Sequence, residues 1–366
     1  NGNATAVSAT NGTTNVGDGA STMAVVGGAS ANMVAFQSLA TDLVAGFTDA
    51  NGAGSADIYL RNIGTNDTSL ISHQTGNQAI GGNGASAVPA LDATGVGVAF
   101  ESDATNLIDD DSNAVRDVFY ADASGTAPFT KVRASVSSSG SQGAGGISAD
   151  PSIYVSGGGR TLVAFESDKT DLAAGLVATT NVYLYDSDTG ATTLLNQKLS
   201  SSLNEIGDGS ARNPVIGADG GSVAFESDAS NIDVPRGGGH GVTDVFLADI
   251  AQALAGSVLP YRFSLTTLEA TDGNGASTEP RFSTFASPSS AYGVGFATYK
   301  TAATNLGTSD STNLVVAFLD ETSGVIADFT VTPTSGLAPL TVQFEDTSNG
   351  APNAWQWNFG NNTNNT

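Results

Sequence analysis

The sequence predicts an all-β chain built as a five-bladed β-propeller, and three observations carry that prediction. One decapeptide recurs through most of the 366 residues: VAFQSLATDL from Val34, VAFESDATNL from Val98, VAFESDKTDL from Val163, VAFESDASNI from Val223 and a degraded VGFATYKTAATNL from Val294, spaced about 60 to 71 residues apart. Self-similarity at a fixed period marks a repeat architecture, in which no single unit can bury its apolar face alone. Each period holds short strand-like segments, four in most copies, between turns rich in Gly, Asn, Ser and Thr, and stretches of helical apolar period are hard to find. Five such copies read as five blades.

Each repeat opens on a Gly-rich turn: GDGAS from Gly17, GNGAS from Gly82, GGIS from Gly145, GDGS from Gly207 and GNGAS from Gly273. Glycine there is expected to supply the positive-φ conformations of tight turns. A first strand follows, entered in four copies through Pro89, Pro151, Pro214 and Pro280, because a proline is tolerated at a strand's first residue. The VAFES strand comes next. Its Val98 and Phe100 stand two apart and point to one face, and Phe36, Phe100, Phe165, Phe225 and Phe296 follow the period as expected core between blades. The third strand reads DIYLR from Asp57, DVFYAD from Asp117, NVYLYD from Asn181, DVFLAD from Asp244 and NLVVAFLD from Asn313. A fourth is expected at Thr68 to Ser72, Thr130 to Ser135, Thr192 to Asn196 and Tyr261 to Thr266. The repeats thus span about 17–72, 82–135, 145–196, 207–266 and 273–326, within a propeller domain 1–326.

The fifth repeat has little room for a fourth strand, because a different pattern begins at Ala327. The N-terminal ATAVSATNGTTNVGDGAS from Ala4 lines up with TSLISHQTGNQAIGGNGAS of the first repeat. Residues 4–9 are therefore expected to supply the outer strand of the last blade, in their own ring or in a neighbouring molecule's, and closure of that kind removes an exposed sheet edge.

Taken together, the VAFxSxATNL, DVFLxD and T-x-LVS signals resemble the TolB-like, PD40-type β-propeller repeats of exported bacterial and archaeal proteins, over residues 1 to about 326. The resemblance implies contacts with proteins or glycans on the propeller faces more than chemistry. From Ala327, ADFTVTPTSGLAPLTVQFEDTSNG and Trp355-Gln356-Trp357-Asn358-Phe359-Gly360 resemble the start of a PKD domain, which implies a partial immunoglobulin-like β-sandwich over 327–366. Asn358 and Asn361 stand where that family usually has Asp. The family's remaining strands would lie past Thr366, so a longer natural chain, or a partner, is expected to complete the sandwich. Trp355 and Trp357 alternate, so one is expected inside it and the other outside.

There are 36 acidic against 12 basic side chains, and a formal charge of −24 opposes nucleic acid and anionic lipid as partners. Without cysteine there is no disulfide, thiolate metal site or thiol nucleophile. No apolar run approaches the roughly 20 residues of a membrane helix, so no membrane insertion is expected in this segment. NGNATAVSAT is neither a signal peptide nor an amphipathic presequence, which fits a protein processed after export. Sequons at Asn3, Asn11, Asn66, Asn361 and Asn364 fit an extracellular or cell-surface glycoprotein.

Calcium is the one cofactor the residues suggest, though the fold does not require it. Asp109, Asp111, Asn113 and Asp117 place hard oxygen ligands at alternate loop positions, against an Asx-rich turn as the plain structural explanation; Asp49, Asn51, Gly52 and Asp57 form a weaker relative. Glu101, Glu166 and Glu226 invite a glycosidase carboxylate pair, but their periodic recurrence points instead to bonding between blades or turn capping. No catalytic residue is assigned, and no nucleophile elbow, P-loop or dinucleotide fingerprint is present. His73 and His240 read as surface-loop residues, and Arg236 to His240 as a flexible insertion. The expected function is a non-enzymatic structural subunit of a surface layer or filament, its partners other copies of itself. The alternative is a glycan- or protein-binding propeller module of a secreted polymer-degrading or adhesive protein.

Overall fold

The computed structural model describes residues 6–28, 31–173, 179–197, 206–232, 242–256, 260–264, 275–282, 294–303, 313–320, 329–332, 343–346, 357–358 and 364–365. The first antiparallel sheet runs β1 (Ser21–Gly27), β2 (Met33–Ser38), β3 (Asp57–Asn62), β4 (Asp67–Leu70), and a small hairpin follows, β5 (His73–Gln74) with β6 (Asn77–Gly81). The second sheet is β7 (Ser86–Leu91), β8 (Gly97–Ser102), β9 (Asp117–Asp122), β10 (Lys131–Arg133), and the third is β11 (Ser148–Val155), β12 (Thr161–Ser167), β13 (Asn181–Asp186), β14 (Ala191–Leu194). The fourth has β15 (Ala211–Ile216), β16 (Ser222–Ser227) and β17 (Asp244–Asp249), then a short helix α1 (Ile250–Leu254) and β18 (Tyr261–Arg262). The three-stranded fifth sheet is β19 (Ser277–Phe282), β20 (Val294–Thr301), β21 (Asn313–Asp320). Apart from α1 the described chain is all-β, a succession of antiparallel meanders, four of them four-stranded.

Each middle sheet is buried on both faces. In β8, Val98 and Phe100 pack with Ala35, Ile58 and Leu60 of the first sheet, while Ala99 joins Val163, Phe165 and Tyr183 of the third. The recurring phenylalanines each stack on a cross-strand ring: Phe36 on Tyr59, Phe100 on Phe119, Phe165 on Tyr183 and Phe225 on Phe246, at centroid distances of 5.5 to 6.0 Å. In the fifth sheet the register places Tyr299, not Phe296, at this position: Thr298 pairs with Arg281 as Ala99 pairs with Ala90. Tyr299 is buried and meets Phe263 edge-on; the side chain of Phe296 lies outside the described residues.

The remaining letters of the decapeptide are also consumed by the fold. Ser38, Ser102, Ser167, Ser227 and, in the fifth copy, Thr301 each accept through the hydroxyl a hydrogen bond from the N–H two residues on, which starts the turn after the strand. The Thr-Asn pair and the Gly-rich turn then clasp each other: Asn83 Oδ1 accepts from Thr105 N–H and Asn106 Oδ1 from Asn83 N–H. Asp208 with Ser230 and Asn231 does the same.

Two local expectations are corrected. The recurring glycines serve close approach rather than positive φ in most copies: a Cβ on Gly84 would lie 2.6 Å from the Asp103 backbone, and one on Gly209 2.6 Å from that of Asp228. Among the described residues of these turns, only Gly145 and Gly146 of the third copy have positive φ, near +62°. The prolines do not begin their strands. Pro89, Pro151, Pro214 and Pro280 sit inside the innermost strands, at β-bulges where the register with the second strand slips, as between Ala87 and Ala90. A bulge is where a missing N–H breaks no ladder bond.

The N-terminal segment is bound to its own chain from Val7 onward. Buried Arg61 donates to the carbonyls of Thr13 (2.6 Å) and Asn66 (2.6 Å), and Thr68 Oγ donates to Ala9 O (2.8 Å). Val7 packs on the core of the first sheet. Gly17 N–H bonds Ser8 O as Gly82 N–H bonds Ser72 O and Gly207 N–H bonds Asn196 O, so Ser8 stands where a fourth strand has just ended. Residues 4 and 5, part of the expected closing strand, lie outside the described residues. Residues 7–16 are bound to their own chain, which does not support strand donation by them in a filament.

The chain divides into two compact units, Asn1–Thr284 with Ala297–Ala317, and Phe285–Phe296 with Phe318–Thr366. In the second, β22 (Phe329–Thr332) pairs with β23 (Gln343–Asp346), and β24 (Trp357–Asn358) with β25 (Asn364–Asn365). These two separate ladders do not support the expected PKD sandwich, and Trp355 is outside the described residues. Gly84→Ala is expected to destabilise the chain by about 1 to 3 kcal/mol, since the neighbour it meets is backbone that cannot rotate away; the midpoint of urea unfolding checks this.

Candidate functional site

The three periodic glutamates form one device. Glu101 Oε2 accepts from Asp150 N–H (3.2 Å), Glu166 Oε2 from Asn213 N–H (2.9 Å) and Glu226 Oε1 from Glu279 N–H (2.8 Å). Gln37 Oε1 accepts from Val88 N–H (3.3 Å) in the same way. Each acceptor lies on the second strand of one sheet, and each donor sits in the bulge of the next sheet's innermost strand. These side chains join neighbouring sheets.

The donors share an unusual backbone. Met23, Val88, Asp150, Asn213 and Glu279 occupy equivalent bulge positions, with φ between +48° and +54°, and none is glycine. A left-handed conformation costs an L-residue about 1 to 2 kcal/mol, and a β-branched residue such as Val88 is a clear outlier there. Four of the five line a chamber of about 600 Å³ bounded by the innermost strands of all five sheets. Val88, Asp150, Asn213 and Glu279 are joined on its wall by Tyr154, Arg281 and Phe282. Burial raises the carboxyl pKa of Asp150, Glu101 and Glu166; for Glu101 the nearby Arg116 opposes the shift.

The residues expected to bind calcium are only partly brought together, and their ligand atoms are already engaged. Asp117 Oδ1 takes a hydrogen bond from Ser135 Oγ (2.5 Å) and the ammonium of fully buried Lys169. Asp111 Oδ1 lies 2.8 Å from the Gln142 amide nitrogen and 3.4 Å from Arg133. Asn113 turns its amide nitrogen, not its oxygen, to Asp117 (3.0 Å), and Asp109 is exposed. Among the described residues no group of three or more His, Asp or Glu could hold a metal ion. The protein's own cations stand where the calcium was expected.

The third strands show how that charge is balanced. Where the fourth strand carries a buried arginine, the third begins with Asp: Arg133 beside Asp117 and Arg262 beside Asp244, at 3.9 and 3.6 Å. Where the fourth strand carries Leu194, the third begins with Asn181, bonded to Asn196. The first sheet breaks the pattern, since buried Asp57 has Ser72 but no ion pair among the described residues, and the arginine position is Leu70. Burial pushes the Asp57 carboxyl up to about 7.

His73 is not a surface residue. It is buried against Lys131, whose Nζ lies 3.0 Å from the ring and 3.3 Å from Phe129 O. Burial pulls the lysine down to about 7 and lowers the histidine as well. His240 and the loop from Arg236 lie outside the described residues. Of the sequons, Asn11 and Asn66 face each other, Asn11 Oδ1 accepting from Thr68 N–H and Asn66 Oδ1 from Arg61. Asn3 and Asn361 are not among the described residues, and Asn364 is described only as backbone in β25.

No family model matches the chain, and no curated protein matches it. Solved structures do. A prolyl endopeptidase is 12% identical with a TM-score of 0.42, over 84% of this chain and 37% of its own, so the chain spans little more than a third of that enzyme. A TolB protein of Agrobacterium tumefaciens is 14% identical with a TM-score of 0.34, over 64% of this chain and 62% of its own. The α-L-arabinanase of Penicillium chrysogenum is 13% identical with a TM-score of 0.38, over 81% and 74%. None of these likenesses assigns an activity. The expectation of a chain without enzymatic activity is nonetheless withdrawn, because two of these three similar structures are enzymes.

The two buried charges differ in sign. Asp57 is neutral in the fold below about pH 7 and ionised when unfolded above 3.8, so its contribution to stability falls as pH rises from about 4 to 7. Lys131 is charged in the fold only below about 7, against 10.5 when unfolded, so its penalty is full below 7 and fades as pH rises towards 10.5. Asp57→Asn should therefore stabilise the chain at pH 8 and much less at pH 4, whereas Lys131→Met should stabilise it most at pH 6, as read from urea unfolding at each pH.

Proposed function

We propose that the five sheets are the blades of one propeller, and that the chain binds a saccharide in the chamber between their innermost strands. The observation that carries this reading is the strained ring. Its backbone is held five times over, yet its side chains are Met, Val, Asp, Asn and Glu. The seam hydrogen bonds hold that backbone, which leaves the side chains at these positions free to serve the chamber. The lining suits a sugar: Asp150 and Glu279 accept from hydroxyl groups, Asn213 does both, Arg281 donates, and Tyr154 and Phe282 offer apolar faces to ring C–H groups. An extracellular setting fits the cysteine-free acidic chain and its sequons.

Asp150→Gly, Asn213→Gly and Glu279→Gly remove ring side chains while easing the left-handed backbone, so the fold is expected to hold or gain stability. Retention on immobilised plant and bacterial polysaccharides should fall at least about tenfold in each variant if the chamber is the site. Retention unchanged by all three substitutions, or no retention of the parent on any polysaccharide, would sink the reading.

A further inference from the structure

The seam glutamates differ in how their charge is met. Gln37 is neutral and needs no cation. Glu101 is paired with Arg116 at 2.9 Å and Glu226 with Arg212 at 3.3 Å. At the equivalent position of the fifth sheet stands Lys300, which pairs with the chamber residue Glu279. The third sheet is the exception: neither Glu166 nor its neighbour Asp150 has an ion-pair partner among the described residues. The nearest arginines are already engaged, Arg116 by Glu101 and Asp103, Arg212 by Glu226 and Asp228. Asp150 lines the chamber, and Glu166 stands on the adjacent strand opposite Ala149, close enough for the Asp150 charge to act on it.

We propose that the ligand carries a positive charge that docks against Asp150 and Glu166, which narrows the saccharide to one bearing a free amino group, such as a glucosamine oligomer. This rests on the saccharide reading of the same chamber. The geometry gives the ammonium a place that a neutral hydroxyl cannot fill equally: Asp150 on the wall with Glu166 beside it on the adjacent strand, Asn213 next to them, and Tyr154 for the sugar's apolar face. Arg281 belongs to the Glu279 side of the chamber, so the two walls differ in charge and give the bound sugar a direction. The apolar contribution of the first two sheets, Val25, Val26 and Val88, adds no competing charge.

The test is calorimetric titration of the full chain with glucosamine tetramer, its N-acetylated counterpart and cellotetraose, at low and at 0.5 M salt. The expected result is binding of the amine at least about tenfold tighter than either neutral oligomer, weakened by salt. Glu166→Gln and Asp150→Asn should each abolish that preference. Glu166→Gln keeps the hydrogen bond to Asn213, as Gln37 does to Val88, and so leaves the fold standing. Equal or tighter binding of a neutral oligomer overturns the amine and leaves the saccharide reading in place. Absence of binding by all three overturns both.

Discussion

The hydrogen bond between a bulged innermost strand and the side-chain oxygen of the preceding sheet is the constraint from which the other features follow. It needs an N–H turned out of the ladder, which the bulge and its positive φ provide, and an acceptor that reaches across the gap, which Glu or Gln provides. An unmet N–H at that depth would cost about 1 to 3 kcal/mol, comparable to the strain of the left-handed residue itself. Clasp and bulge therefore persist together. The proline beside four of the five bulges fits because the register slip removes the bond its nitrogen would have made.

Charge inside the sheets obeys a second accounting. A buried carboxylate is tolerated where an arginine or lysine from a neighbouring strand meets it, and is replaced by an amide where none does. Asp117 with Arg133 and Lys169 shows the first case, and Asn181 beside Leu194 the second. Lys169 occupies the position held by Ala40, Ala104 and Ala229 in other copies, so one repeat carries in its own side chain the cation that the loop chemistry suggested would come from solution. Asp57 satisfies neither case and is driven towards its neutral form.

Much of this was legible in the chain, for a physical reason. A residue used by the fold must recur with the fold's period, so the strands, most of the buried rings and a structural role for Glu101, Glu166 and Glu226, as links between blades or turn caps, could be read from repetition alone. What could not be read lay where repetition hides three-dimensional partners. Lys169 and Arg133 lie far in sequence from Asp111, so an oxygen-rich loop looked open to calcium. His73 looked exposed because its neighbours are polar, yet β10 of the next sheet covers it. The glycines were attributed to torsion when the need was space, a distinction only the opposing backbone reveals. The chamber ring escaped notice because Met23, Val88, Asp150, Asn213 and Glu279 share a backbone but no chemistry. An invariant torsion under variable letters leaves no motif; the following proline, present in four of the five, was the only trace.

That ring separates heredity of shape from heredity of specificity. Its backbone is secured from outside, by another sheet's side chain, so a substitution within it leaves the scaffold's instructions untouched. Descendants of one such chain could keep every recognisable repeat while diverging completely in what they hold. Kinship judged by the repeats would then group proteins by architecture, and the few letters at the bulges would have to be compared separately.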